Sequence, residues 1–189
     1  MLMTKHFAFA VVFSACLGAT PVLAAGDEPA PAAAAATTAL SAKALGCKRG
    51  EAAKWSGDGN TRKQACITLA AAAMGDDELY EQGKLLAMES EYDWALEVLS
   101  LITKQDDAKV LNYIGYSNRK AGRLETGIEA YRKALALDPD YVQAREYLGE
   151  AYILAGKKDL ALIELAEIKT RKGDTSAEYL ALAKAIAAN

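Results

Sequence analysis

The feature that most constrains this chain is an internal echo at a fixed spacing. Leu111-Asn112-Tyr113-Ile114-Gly115-Tyr116 returns in outline as Arg145-Glu146-Tyr147-Leu148-Gly149-Glu150. Gly122 and Gly156 keep the same offset, as do Tyr131 and Leu165. A weaker copy at a slightly shorter offset stands before them, where Leu79 and Gly83 lead one run and Trp94-Ala95 with Leu99 mark the next. Apolar residues recur every three or four positions (Trp94, Ala95, Val98, Leu99 and Ile102, then Ile128, Tyr131 and Leu135), the spacing of helices with one buried face. The breaks at Ala121-Gly122 and Ala155-Gly156 are short, so consecutive helices pair as antiparallel hairpins. No such hairpin buries its apolar face alone. The copies must stack, and about three are a practical minimum. The expected fold class is all-α.

These residues resemble the tetratricopeptide repeat (TPR) family. The middle copy, residues 108–141, supplies Leu111, Ile114, Gly115, Tyr131, Ala134 and Pro139. It departs from the family pattern at Asn118, normally apolar, and at Gly127, normally alanine. The third copy, residues 142–173, supplies Leu148, Gly149, Tyr152, Ala161 and Leu165, and departs at Arg145. The first, residues 76–107, supplies Leu79, Gly83, Leu86, Ala95 and Leu99, and departs at Gln82. The resemblance implies a short right-handed superhelical array over residues 76–173. Gly83, Gly115 and Gly149 fall where helix A of each hairpin must approach helix B closely. Asp138-Pro139 reads as a helix start, with Asp138 as cap and Pro139 in the first turn. Residues 174–189 read as a capping helix opened by a Thr175–Glu178 capping box, with Tyr179, Leu182 and Ile186 on its apolar stripe.

The part of the chain before Asp76 has a different grammar. Lys5 and His6, the charge-free run Phe7–Leu17 and the small-residue stretch ending Val22-Leu23-Ala24 have the three-part layout of a secretory signal peptide, predicted over 1–24. Export across the inner membrane to the periplasm is expected, with no transmembrane anchor in the mature form. The rival is a lipoprotein signal ending at Cys16. Residues 25–45, rich in alanine and containing Pro29 and Pro31, read as a linker. Residues 46–75 read as a small cap closed by a Cys47–Cys66 disulfide, because two cysteines survive in an oxidising compartment. Turn-prone Ser56-Gly57-Asp58-Gly59-Asn60 predicts an irregular loop or poor hairpin, followed by helix from about Thr61. The alanine-rich stretch Cys66–Met74 is then a helix covering the first repeat.

Composition narrows the function. There are 22 basic and 25 acidic residues, against the basic excess expected of a nucleic-acid binder. The only histidine, His6, lies in the leader, and both remaining cysteines are assigned to a disulfide, so neither an enzyme, a metal site nor a cofactor is expected. The family resemblance implies a non-catalytic adaptor or scaffold that binds a peptide or protein in a concave groove lined by the A helices. The groove positions are Tyr80 and Lys84 (with Ala87), Asn112, Tyr116 and Arg119, and Glu146 and Glu150 (with Ile153). The lysine, asparagine and arginine set with which some members clamp a terminal carboxylate is not matched. The alternative is an envelope- or glycan-associated protein contacting its ligand through Trp55 in the Cys47–Cys66 loop, with the repeats as spacer. Self-association through the ends of the array is left open.

Overall fold

The computed structural model describes residues 39–189, apart from 59, 60 and 72. The signal peptide expected over 1–24, the lipoprotein alternative at Cys16 and the linker up to residue 38 lie outside the described residues. Two strands are followed by seven helices: β1 (Glu51–Ser56), β2 (Lys63–Thr68), α1 (Asp76–Met88), α2 (Tyr92–Leu99), α3 (Ala108–Lys120), α4 (Leu124–Leu137), α5 (Val142–Leu154), α6 (Lys158–Lys172) and α7 (Ala177–Ala187). Helices α1–α2, α3–α4 and α5–α6 form three stacked hairpins, and α7 packs on both α5 and α6. No described helix is long and apolar enough to cross a membrane.

The hairpin connections share one geometry. Gly122 and Gly156 turn the chain with φ of 83° and 70°. Each follows helix A, and the next residue's N–H returns to a carbonyl in the last turn of that helix, Arg123 to Asn118 and Lys157 to Tyr152. The first repeat places Ser90 at the equivalent point, at φ 66°. A left-handed conformation costs a residue with a Cβ about 1–2 kcal/mol, so one of the three connections is made against local preference.

The expected close approaches occur, with one change of partner. A Cβ on Gly83 would lie 2.5 Å from Leu99, and one on Gly115 would lie 2.7 Å from Tyr131, both in the facing B helices. At Gly149 the neighbour is Leu182 of α7, at 2.5 Å, rather than a residue of α6. Leu165, the counterpart of Tyr131, is shorter and only partly buried, and Leu182 fills the space. Leu182 follows Leu148 at the same offset that separates Gly156 from Gly122, so α7 is in register with the A helices before it.

Every departure from the repeat pattern has a structural use. Asn118 donates to the Ile114 carbonyl at 2.9 Å and accepts from Arg123 Nε at 2.7 Å. A Cβ on Gly127 would come within 3.0 Å of the Gly115 carbonyl oxygen. Arg145 is buried, donates to the Pro139 carbonyl at 2.8 Å and pairs with Glu164 at 2.9 Å. Gln82 Nε2 donates to the Leu40 carbonyl at 2.8 Å, fastening the segment that precedes the array.

That N-terminal segment differs from the expected helix. β1 and β2 pair antiparallel with Ala53 opposite Cys66, and the alanine-rich stretch yields only a 3-10 turn at Leu69–Ala71. The disulfide forms as expected, and it fixes Cys66 beside Cys47 so that residues 63–68 complete a ladder with β1. Pairing across the hairpin overrides the helix propensity of the alanines, and Lys54 Nζ holds the Ala73 carbonyl. The cap seats Ala42, Cys47 and Ala53 in the core of the first repeat. Trp94 Nε1 donates to the Glu51 carbonyl at 2.8 Å, Ser41 to Glu89 at 2.6 Å, and Lys43 pairs with Glu91 at 2.7 Å.

Two expected caps shift. Ser176, not Thr175, opens α7 by accepting from the Tyr179 N–H, and Glu178 pairs with Lys172 instead of closing a capping box. Asp138 ends α4 and accepts from the Asp140 N–H, while α5 begins only at Val142, so Pro139 sits in the connecting turn rather than in a first helical turn.

Candidate functional site

The A helices α1, α3 and α5 set a row of tyrosines side by side. Tyr80 of α1 meets Tyr113 of α3 edge-on, with ring centroids 5.8 Å apart. Tyr113 leads to Tyr116 at 6.3 Å, and Tyr116 to Tyr147 of α5 at 5.2 Å. From the B-helix side Tyr92 touches Tyr116 at 6.4 Å and Tyr131 touches Tyr147 at 6.1 Å. Edge-on and tilted ring pairs of this kind are favourable beyond the area they bury. Tyr80, Tyr116 and Tyr147 remain half-buried, so the row is both packed from behind and open in front. Burial first, then neighbouring tyrosines and carboxylates, push the phenols of Tyr80, Tyr116 and Tyr147 up, and that of Tyr141 up to about 12, keeping them protonated hydrogen-bond donors.

Of the groove positions read from sequence, Tyr80, Lys84, Tyr116, Glu146 and Glu150 are partly exposed along this row. Asn112, Arg119 and Ala87 are not: they are buried. Asn112 is fully enclosed, and Nδ2 donates to the Tyr141 hydroxyl at 3.3 Å. Arg119 lies under the tyrosines, 5.6 Å from the Tyr116 ring and 5.5 Å from that of Tyr147. It donates to the Tyr131 hydroxyl at 3.3 Å and pairs with Glu150 at 2.8 Å. Cationic packing between two aromatic faces is favourable when desolvated, so Arg119 stiffens the groove floor instead of reaching out of it.

Sequence reasoning missed Tyr113, Tyr141 and Tyr147. The signal was present, since Tyr113 and Tyr147 keep the repeat offset. A chain of hydroxyl and amide contacts links this part of the floor: Tyr141 donates to Gln143 at 3.2 Å, and Gln143 to the Tyr147 hydroxyl at 3.3 Å.

Clefts lie at both ends of the row. One, of about 450 Å³, is bounded by Asp76, Tyr80, Glu81, Lys104 and Lys109. Asp76 accepts from the Thr103 and Lys104 N–H groups at 2.9 and 3.2 Å, which lowers its carboxyl pKa. The other, of about 400 Å³, is bounded by Lys120, Glu150, Ile153, Leu154 and Ala185. Glu146 lies one helical turn before Glu150 on α5. Burial first, then Glu150 and Glu178, push its carboxyl up to about 7 against the opposing pull of Arg119.

Trp55 sits on β1, partly buried, with the Arg62 guanidinium 4.6 Å above its ring. It is a strand residue with one face occupied, not a free loop aromatic. Cys47, Cys66 and Glu51 cluster closely enough to suggest a metal site, but the two sulfurs are bonded to each other and offer no thiolate ligand.

Residues 105–156 match the family model described as a TPR repeat. The fold is similar to that of MamA, at a TM-score of 0.55 and 22% identity over 64% of this chain and 71% of that one. It is similar to PcrH, solved in complex with the chaperone binding region of PopB (TM-score 0.51, 18% identity, 59% of this chain and 92% of that one). The TPR2B domain of yeast Sti1, in its complex with pHsp70, gives a TM-score of 0.50 at 20% identity, covering 58% of this chain and 96% of that one. In sequence, 87 residues are 34% identical to a peroxisomal targeting signal receptor of Candida albicans (strain SC5314 / ATCC MYA-2876). That match covers 45% of this chain and 15% of the receptor's length.

Proposed function

We propose that this short tetratricopeptide-repeat array is a non-catalytic protein-interaction module that holds an extended peptide segment along the tyrosine row of its A helices. The observation that carries the reading is the row itself. Three half-buried tyrosines, locked by ring contacts and by Arg119 from below, offer contact area and hydroxyl tips at little further entropy cost. A ligand on such a floor meets groups already in place. PcrH, of similar fold, is seen with a segment of PopB, and an analogous use is proposed for this chain.

A disulfide closing the N-terminal cap supports an oxidising compartment, and with the apolar leader read from sequence it supports export to the periplasm. The half-covered Trp55 gives the glycan-contact alternative little surface to work with.

The test is selection of a displayed random peptide library on the full oxidised chain. A photoreactive benzoylphenylalanine is placed at Tyr116 and, as control, at the exposed Ile163. Selected peptides should crosslink from position 116 and not from 163. Crosslinking only from 163, or no selection at all, refutes the groove as the binding surface.

A further inference from the structure

Of the half-buried carboxylates along the groove, nearly all are occupied. Asp76 accepts from two backbone N–H groups, and Asp107 caps α3 by accepting from the Lys109 N–H at 2.8 Å. Glu150 is paired with Arg119, and Glu178 with Lys172 through Oε1, its Oε2 being buried without a partner. Glu146 stands apart. Among the described residues its carboxylate has no ion pair and no side-chain hydrogen bond, although it is half-buried between Glu150 on its own helix and Glu178 on α7. The cation that acts on it, Arg119, is already committed to Glu150 and to the Tyr131 hydroxyl. In the equivalent position of the neighbouring repeat a second acceptor is orphaned: Asn112 Oδ1 is fully buried with no hydrogen-bond partner. Two acceptors in successive repeats, the Glu146 carboxylate and the enclosed Asn112 Oδ1, are thus without donors beside a floor of aromatic rings. A buried or half-buried anion without a counter-ion is costly, and a partner that supplies one gains the difference.

We infer that Glu146 is a specificity subsite for one cationic side chain, lysine or arginine, of an extended peptide lying across Tyr116 and Tyr147. The inference rests on the groove being the binding surface. The cation pairs with the Glu146 carboxylate while its aliphatic stem lies on the tyrosine rings, as such stems do on apolar surface. The site is of opposite sign to a clamp for a terminal carboxylate, so a free C-terminus is not the group it selects.

Peptides selected as above, and crosslinking from position 116, supply the probe. They should carry lysine or arginine at one fixed position. Replacing that lysine by norleucine in a synthetic peptide should weaken binding about tenfold on the unaltered protein. Glu146→Gln should weaken the lysine peptide by a similar factor and leave the norleucine peptide unchanged. The melting curve of the variant at pH 7 checks that it is folded. Groove-bound peptides with no fixed cation, or equal affinity for the two peptides, overturn the subsite and leave the groove reading standing. Absence of any groove-bound peptide overturns both.

Discussion

At its N-terminal end the array is closed by a two-stranded hairpin held by a disulfide, a tryptophan hydrogen bond and ion pairs. At its C-terminal end one helix in register with the repeat does the same task through Leu182 and Ile186. The difference follows from composition. The cap brings mainly alanines and Cys47 to the core, too little apolar surface to hold a segment of its length, so a covalent link and polar contacts hold it. Helix α7 brings Leu182 against Gly149 and Ile186 into the same core, and packing suffices. An open solenoid end is a hydrophobic surface that must be covered, and this chain covers its two ends by unrelated means.

Either end of the array can be weakened separately. The largest effect should come from Leu182→Ala. Deleting a fully buried leucine costs about 4 kcal/mol, read as a shift of the urea midpoint. A loss of under about 1 kcal/mol would mean that α7 is not a structural end-piece. Next is the pair Cys47→Ser with Cys66→Ser, expected to lower stability by about 3 kcal/mol in the chain-entropy view of a sequence separation of 19. Hydrogen exchange should speed up over residues 39–71 first. Equal loosening of α5–α7 would show that the two ends are not independent.

A third test concerns pH. Glu146, raised from 4.5 to about 7, binds its proton more tightly in the folded chain. Stability should therefore fall as pH rises from about 4.5 to about 7, as the desolvated carboxylate ionises beside Glu150 and Glu178 with only the committed Arg119 opposing. Because the group is half exposed, solvent screening leaves an effect on the order of 1 kcal/mol. Glu146→Gln should flatten that stretch of the pH–stability curve, and an unchanged slope would remove Glu146 as its source. The smallest change is a gain. Ser90→Gly relieves a left-handed residue and should raise stability by about 0.5–1 kcal/mol, measured by thermal melting. It would bring the first connection level with those at Gly122 and Gly156.

The legible parts of the sequence were those set by local spacing. The repeat offset pointed to three hairpins and the close-packed glycines, and the end helix announced itself by its own apolar stripe, because each signal lies within its own segment. The cap was read as a helix because alanines from Cys66 to Met74 favour one locally, whereas the strand depends on where a ladder with residues 51–56 and a bond to Cys47 place it. Helix caps slipped by one to a few positions, at Ser176 and Tyr141, where several polar residues compete for the same orphan N–H groups. In the groove, Tyr80 and Tyr116 were legible from helical position. Asn112 and Arg119 were misread as surface, since position on a helix face does not tell whether an aromatic neighbour will roof the side chain over.

The register of α7 has a consequence for how such a chain lengthens. Because Leu148 and Leu182 occupy the same place in successive units, α7 presents to α5 and α6 the face that any further A helix would present. A further A helix would follow the same offset, and the row of tyrosine-bearing helices would grow by one unit. At the other end Gln82, Ser41 and Lys43 make a joint found nowhere else among the described residues. The molecule is a ruler with a fixed zero, and its length is adjustable only in whole divisions away from it.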